Sequence, residues 1–246
     1  MDPRFDISKI VLAMIAIIAD IHGNLPALEA VLRDIDASGC EQIISLGDVA
    51  GYYCMLNECI EILRKRRIPN LMGNHDYYLL SGEGCPRSLS ASRCLEYQQT
   101  QITIENRNWL AGSKESITRG DLSFVHGGWE DPIDEYLYTI SREYFSGRPG
   151  RYFFSAHTHV QVACEFDGKL YCNPGSVGQP RDGDPRAAYA IFDGRSVQLK
   201  RVAYDIDSIA KEMAKAGFEP RYYQNLFTGV RIGGAASSVT IARNAN

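Results

Sequence analysis

Three features of the 246-residue sequence predict an α/β fold. Its first third alternates short apolar runs with segments of helical periodicity. Its second half is a series of short β-type runs separated by turn residues. The first three apolar runs each end directly in a polar cluster, "DIHGN", "GD" and "GNHD". In a largely parallel sheet, the loops beyond the carboxyl ends of the strands are where ligands bind.

The elements follow in order. Residues 15–19 read as a buried first strand. Pro26–Ser38 has apolar residues at helical spacing, a proline near its start and Gly39 just past its end. Gln42–Leu46 is a second strand. Asn57–Arg67 is a second helix, with Asn57 as its cap and basic residues in its last turn. Asn70–Met72 starts a third short strand. Residues 86–113 carry an apolar helical stripe, and 115–125 reads as a hairpin ending in "FVHGG". Tyr152–Ser155, Val160–Phe166 and Lys169–Cys172 are strands, the last two joined by an Asp167-Gly168 turn. Ala187–Phe192 and Ser196–Ala203 form another hairpin, and Asp207–Ala216 is a helix stopped by Gly217. Residues 14–217 are expected to be one domain. The stretch 1–13 reads as an extension, with Met14 an alternative start, and 218–246 as a C-terminal segment ending in a mobile tail.

The bulk numbers exclude some functions. The chain is 45% hydrophobic and 23% charged, ordinary for a globular protein with a sizeable core. A net charge of −4 argues against nucleic-acid polymers and anionic membranes as partners. It leaves a small anionic substrate open, because bound cations reverse the local sign. The apolar run 10–18 is too short to span a membrane, and a signal peptide cut there would disturb the histidine motif that follows. Seven scattered cysteines without a CxxC motif suggest reduced thiols and a cytoplasmic setting. A monomer or small homo-oligomer is expected.

All five histidines follow β-type runs. They sit with carboxylates and an amide: Asp20 and His22, Asp48, Asn74, His75 and Asp76, His126, then His157 and His159. Each motif alone is ordinary turn chemistry, and an isolated HxH is most simply a polar pair at a strand end. Together they form a set of imidazole and hard oxygen donors without thiolates, which suits Mn²⁺, Fe or Zn²⁺. Seven candidate ligands are too many for one ion. Two ions sharing a carboxylate fit, and such pairs hydrolyse phosphate esters.

The ordered series DxH, GD, GNHD, H and HxH resembles the calcineurin-like metallophosphoesterase superfamily, especially its small bacterial and archaeal phosphodiesterases. The matching stretches, among them "IIADIHGNLPALEAVL", "LGDVAGY", "LMGNHD", "AHTHVQ" and "NPGSVGQPRDGDPRAAYAIFD", span residues 14–203. The resemblance implies a four-layer αββα sandwich of two mixed β-sheets flanked by helices. It implies one metal on Asp20, His22, Asp48 and His159, and a second on Asp48, Asn74, His126 and His157, with Asp48 and a hydroxide bridging them. That hydroxide would attack phosphorus directly. His75 matches the family's general acid, with Asp76 placed to orient it. Mn²⁺ is the expected metal, with Fe, Zn²⁺, Ni²⁺ and Co²⁺ as alternatives. Asn24 and Arg181 are further candidates for contact with a small phosphorylated substrate. Asn173 is a candidate brace for the histidine loop, and Gly127 and Gly128 would permit close approach to the metals.

Two departures stand out. Relatives have glycine where this chain has Ala156, and after "GDVAGY" this chain has "YCML" in a loop expected to border the substrate. The leading expectation is a phosphodiesterase. Hydrolysis of a dinucleoside polyphosphate such as diadenosine tetraphosphate would use the same machinery. A Ser/Thr protein phosphatase would carry GDxxDRG and GNHE in place of "GDVAGYY" and "GNHD". A catalytically silent scaffold of the same fold would lack the GNH histidine, which is present here as His75.

Overall fold

The computed structural model describes residues 14–242. Expectations for 1–13, including the start of the first apolar run, lie outside the described residues. Two mixed sheets face one another. The first has the order β10-β9-β1-β2, from Ile15–Ile18 (β1), Gln42–Ser45 (β2), Ala187–Phe192 (β9) and Val197–Val202 (β10). β1 runs parallel to β2 and antiparallel to β9. The second has the order β3-β4-β6-β8-β7, from Ser116–Arg119 (β3), Leu122–Val125 (β4), Tyr152–Phe154 (β6), Val162–Phe166 (β7) and Lys169–Asn173 (β8). Its centre, β4-β6-β8, is parallel and its flanking pairs are antiparallel.

Strand alternation builds the layers. In β1, Ala16 and Ile18 pack on helices, whereas Ile15 and Ile17 face the second sheet. Phe124, Phe154, Cys172, Ala190 and Phe192 close the space between the sheets. The Phe124 and Phe154 rings stack with centroids 4.9 Å apart. Each such ring, fully buried, contributes about 1.5–3 kcal/mol. The helices Leu25–Ser38 (α1), Leu56–Lys65 (α2), Leu89–Gln101 (α4) and Ile206–Lys215 (α7) contribute to the outer cover of the first sheet. The cover of the second sheet is thinner. It consists of the five-residue helix Arg142–Ser146 (α6) and a ribbon of Thr139–Ser141 (β5) with Thr240–Ala242 (β11), closed around Phe145, Phe153 and Tyr171.

Several expectations are corrected. Asn57 is not a cap. Buried Leu56 draws the start of α2 one residue earlier, and the cap is Met55. The Asn57 amide instead donates to Gln101 O and accepts from Thr103 N, tying α2 to the next helices. Asn70–Met72 makes only two isolated bridges, to Ser45 and Lys114, before Gly73 turns the chain into the helix Asn74–Ser81 (α3). Residues 86–113 split into α4 and Ile104–Ala111 (α5), because Ile102 and Thr103 are extended. The C-terminal stretch, expected to be mobile, is ordered through Ala242 by β11 pairing in parallel with β5. All seven cysteines are free. Among the described residues, no helix is long and apolar enough to cross a membrane.

Candidate metal centre

The polar clusters at the carboxyl ends of β1, β2, β4 and β6 converge, joined by the N-terminus of α3. Asp20, His22, Asp48, Asn74, His126, His157 and His159 are all buried. Five of them, Asp20, His22, Asp48, His157 and His159, have φ between 52° and 65°. Left-handed backbone is costly away from glycine, and such strain persists where the surroundings impose it. Hydrogen bonds do so here: His22 N bonds Asp48 O at 3.0 Å, and Gly178 N bonds Asp20 O at 2.9 Å.

Backbone carbonyls fix the ring orientations. Nδ1 of His22 lies 2.6 Å from Ala50 O, Nδ1 of His126 2.9 Å from Leu46 O, and Nδ1 of His159 2.7 Å from Gln179 O. Each Nδ1 therefore carries the proton, and each Nε2 turns a lone pair inward. His157 is reversed. Its Nδ1 points inward, and its Nε2 lies 3.3 Å from Asp134 Oδ1.

Two pairs of lone pairs then meet. Nε2 of His22 and of His159 are 3.1 Å apart, and Nε2 of His126 is 3.2 Å from Nδ1 of His157. With no proton between them, the His22 and His159 nitrogens repel unless a cation sits among them, and between His126 and His157 a proton on His126 or a cation removes the repulsion. Ligands about this far apart suit ions with bonds of about 2.0–2.2 Å.

The carboxylates repeat the pattern. Asp20 Oδ2 accepts from His157 N and Asp48 Oδ1 accepts from His75 N, which leaves Asp20 Oδ1 and Asp48 Oδ2 buried without a hydrogen-bond partner. Asp20 Oδ1 lies 3.5 Å from Nε2 of His159. Asp48 Oδ2 lies 3.4 Å from Nε2 of His126 and 3.8 Å from Nε2 of His22, between the two histidine groups. The result is two buried triads, Asp20–His22–His159 and Asp48–His126–His157. Asn74 Oδ1 joins the second, 3.3 Å from Nε2 of His126.

Electrostatics agree with a cation site. Burial holds His22 and His159 well below the usual imidazole range and pushes His157 down to about 4, so all three are neutral donors near neutrality. Burial pushes Asp20 up to about 7. Burial also opposes the charge on His126, but the Asp48 and Asp20 carboxylates reverse this and hold it at about 9. The buried carboxylates thus draw a proton to the Nε2 side of His126, the position a cation would take. The donor set fits two divalent cations.

The other candidates fall as follows. His75 begins the second residue of α3, lines a cavity of about 400 Å³ beside the triads, and its ring makes no hydrogen bond among the described residues. Asp76 does not orient it. The Asp76 carboxylate accepts from the backbone N–H groups of Asp48, Ala50 and Gly73, clamping the turn that carries Asp48. Gly73 completes that clamp, since a Cβ there would lie 2.1 Å from Asp48 Oδ1. Asn24 caps α1 through Ala27 N and donates to Gly178 O, so it is structural rather than exposed to the cavity. Arg181 lines the cavity and bonds Tyr52 OH at 2.9 Å and Gln179 Oε1 at 2.7 Å. Tyr52, from the loop that departs from relatives, also lines it. A larger hollow of about 700 Å³ between α5 and β3 lies away from the histidines.

Gly127 and Gly128 serve the following loop, not the metals. A Cβ on Gly128 would lie 2.1 Å from Glu135 Oε2. Asn173 does brace the histidine loop, donating to Ala156 O at 2.7 Å and to Thr158 Oγ1 at 3.0 Å. Thr158 is therefore part of that brace as well as a spacer. Ala156 has ordinary backbone and buries its methyl between the sheets, so the glycine of relatives is not required here.

Asp134 and Gln98 have no clear signal in the sequence. Asp134, in the loop after "HGG", faces His157 and also takes both Arg87 guanidinium nitrogens, at 2.6 and 2.7 Å. Its only signal was the acidic composition of "WEDPIDEY". Gln98 reaches from α4 to the Gly51 N–H and the Gly51 and Tyr53 carbonyls, pinning the Tyr52 loop. It had no signal beyond being a polar residue on a buried helix face.

Comparison with known proteins is consistent with this geometry. The model of the calcineurin-like phosphoesterase superfamily domain matches residues 14–196. An uncharacterised protein of Methanocaldococcus jannaschii is 33% identical over 242 residues, covering 88% of this chain and 98% of that protein. The Escherichia coli phosphodiesterase YfcE is 25% identical over 200 residues, covering 80% of this chain and 95% of that protein. The crystal structure of a metallophosphoesterase from Sphaerobacter thermophilus has a TM-score of 0.79 at 33% identity and covers 89% of this chain and 100% of that one.

Proposed function

The chain belongs to the calcineurin-like phosphoesterase superfamily, and on that premise we propose that it is a two-metal phosphodiesterase acting on a small phosphorylated molecule or nucleotide. The observation that carries this reading is the pair of buried, unpartnered carboxylate oxygens, Asp20 Oδ1 and Asp48 Oδ2, each facing histidine nitrogens whose other side is fixed. The resemblance to YfcE, itself a phosphodiesterase, supports the diester preference.

Two ions, with Mn²⁺ the first candidate, would supply Lewis acidity and a water-derived nucleophile at neutral pH. Asp20, His22, Asp48 and His159 would hold one, and Asp48, Asn74, His126 and His157 the other. The protein's own contribution is orientation. Asp76 keeps the Asp48 turn rigid, Asp134 aims His157, and the strained strand ends prevent the ligands from relaxing into one another.

His75 is the candidate general acid. Burial lowers it to about 4, and the negative charge of a bound phosphodiester acts in the opposite direction. Its ring, without a protein partner, is free to meet the leaving oxygen.

The test is a panel of phosphomonoesters, diesters, cyclic nucleotides and dinucleoside polyphosphates run across Mn²⁺, Ni²⁺, Co²⁺, Zn²⁺ and Mg²⁺. Diesters should turn over fastest, with Mn²⁺ the best metal. Preferential hydrolysis of monoesters or of dinucleoside polyphosphates would overturn the diester assignment.

A further inference from the structure

The cavity beside the triads holds more positive charge than one phosphodiester needs. Its lining includes Arg181, Arg231 and Arg87, and no carboxylate. Arg87 is neutralised by Asp134. The other two are not: among the described residues neither forms an ion pair.

Arg181 is only 7% exposed. Its Nε and Nη2 bond Gln179 Oε1 and Tyr52 OH, both uncharged, and its Nη1 has no protein acceptor among the described residues. A buried guanidinium without a carboxylate or a full set of acceptors is costly. Arg231 is exposed, so it carries no such burial cost, but its contacts are likewise uncharged, from Nε to Ser237 Oγ at 2.7 Å and from Nη2 to Tyr138 OH at 2.9 Å.

Arg231 also lies outside the family-matched region, which ends at residue 196. Its segment is held over the cavity by the bond from Ser237 N to Arg181 O and by the β11–β5 pairing. The C-terminal segment therefore carries a cation to a wall that the family-matched part of the chain leaves unfinished.

We propose that this cavity binds a second anionic group of the substrate, a phosphate not cleaved in the reaction, held by Arg181 and Arg231. This deepens the phosphodiesterase reading and rests on it. Because His75 lines the same cavity, the second phosphate belongs to the leaving half of the molecule. A guanidinium gives a phosphate two parallel hydrogen bonds, so two free arginines can satisfy one such group. The tyrosine hydroxyls that now accept from both arginines keep them pointed inward until it arrives.

The test compares calorimetric affinities of the Mn²⁺-loaded protein for thymidine monophosphate and thymidine bisphosphate. The bisphosphate should bind at least about tenfold more tightly, as expected for charge-assisted hydrogen bonds. Arg231→Gln should cut that ratio to about threefold or less, while Arg231→Lys keeps part of it. In the unmodified protein the ratio should also shrink as salt rises, a reading that needs no variant to fold. A ratio near one in the unmodified protein, a ratio insensitive to salt, or a folded Arg231→Gln protein with the ratio intact would overturn the proposal. Turnover of bis-p-nitrophenyl phosphate by the same preparation tests the phosphodiesterase reading separately.

Discussion

Asp134 Oδ1 lies 3.3 Å from Nε2 of His157, on the side turned away from the centre, and His157 alone among the four inward-facing histidines presents Nδ1 to the centre. The other three are aimed by backbone carbonyls. A carboxylate in that role also makes the imidazole a better donor. Asp134→Ala should weaken binding at the second metal position by about 10–100-fold, leaving the first little changed. Metal titration followed by calorimetry checks this, and excess Mn²⁺ should restore turnover. Unchanged affinity at both positions would remove Asp134 from the site.

Asp48 faces both histidine groups through one oxygen, Oδ2, while Oδ1 is held by the His75 N–H. Asp48→Asn turns that carboxylate into a neutral amide and removes the charge that two ions would share. The expected outcome is loss of both metals together, read by elemental analysis after dialysis. Retention of two ions at full occupancy would contradict the bridging assignment.

His75 touches the cavity but belongs to neither triad. His75→Ala should keep both metals and lower kcat on alkyl diesters by about 10²–10⁴-fold. The loss should be smaller for p-nitrophenyl esters, whose leaving group needs little protonation. Equal turnover of alkyl esters would exclude the acid role.

Ala156 offers a prediction about stability instead. Its methyl is buried in the core between the sheets, on backbone that is not left-handed. Ala156→Gly should cost about 1–2 kcal/mol, from one lost methyl group and greater freedom in the unfolded chain. Thermal unfolding of the metal-free protein should show a Tm lower by several degrees, with kcat within about twofold of the parent. An unchanged or raised Tm would mean that the methyl is strained where it sits.

The candidate ligands were legible because this fold puts them where chain pattern is strongest, immediately after buried strands. A histidine two residues past a β-type run can be read without knowing which strands are neighbours. Asp134 could not be read that way, since it reaches His157 from a loop 23 positions earlier, whose course depends on a Gly128–Glu135 contact. Arg231 was invisible for a similar reason. Its segment is polar and glycine-rich, and what orders it is the non-local pairing of β11 with β5. The role expected for Asp76 was misread because "GNHD" suggests contact between neighbours. On the first turn of a helix the two side chains diverge, and Asp76 turns to the Asp48 backbone. The thin cover of the second sheet, α6 with the β5–β11 ribbon, was missed because its pieces are three to five residues long and carry no periodicity.

The most direct test of the two-ion centre is a metal titration of the chelator-treated protein, with bis-p-nitrophenyl phosphate hydrolysis followed against Mn²⁺ bound per chain. Activity should be absent in the metal-free protein and should rise to its maximum at two ions per chain. Full activity at one ion or fewer, or no turnover by the folded protein with any of the five divalent metals, would contradict it.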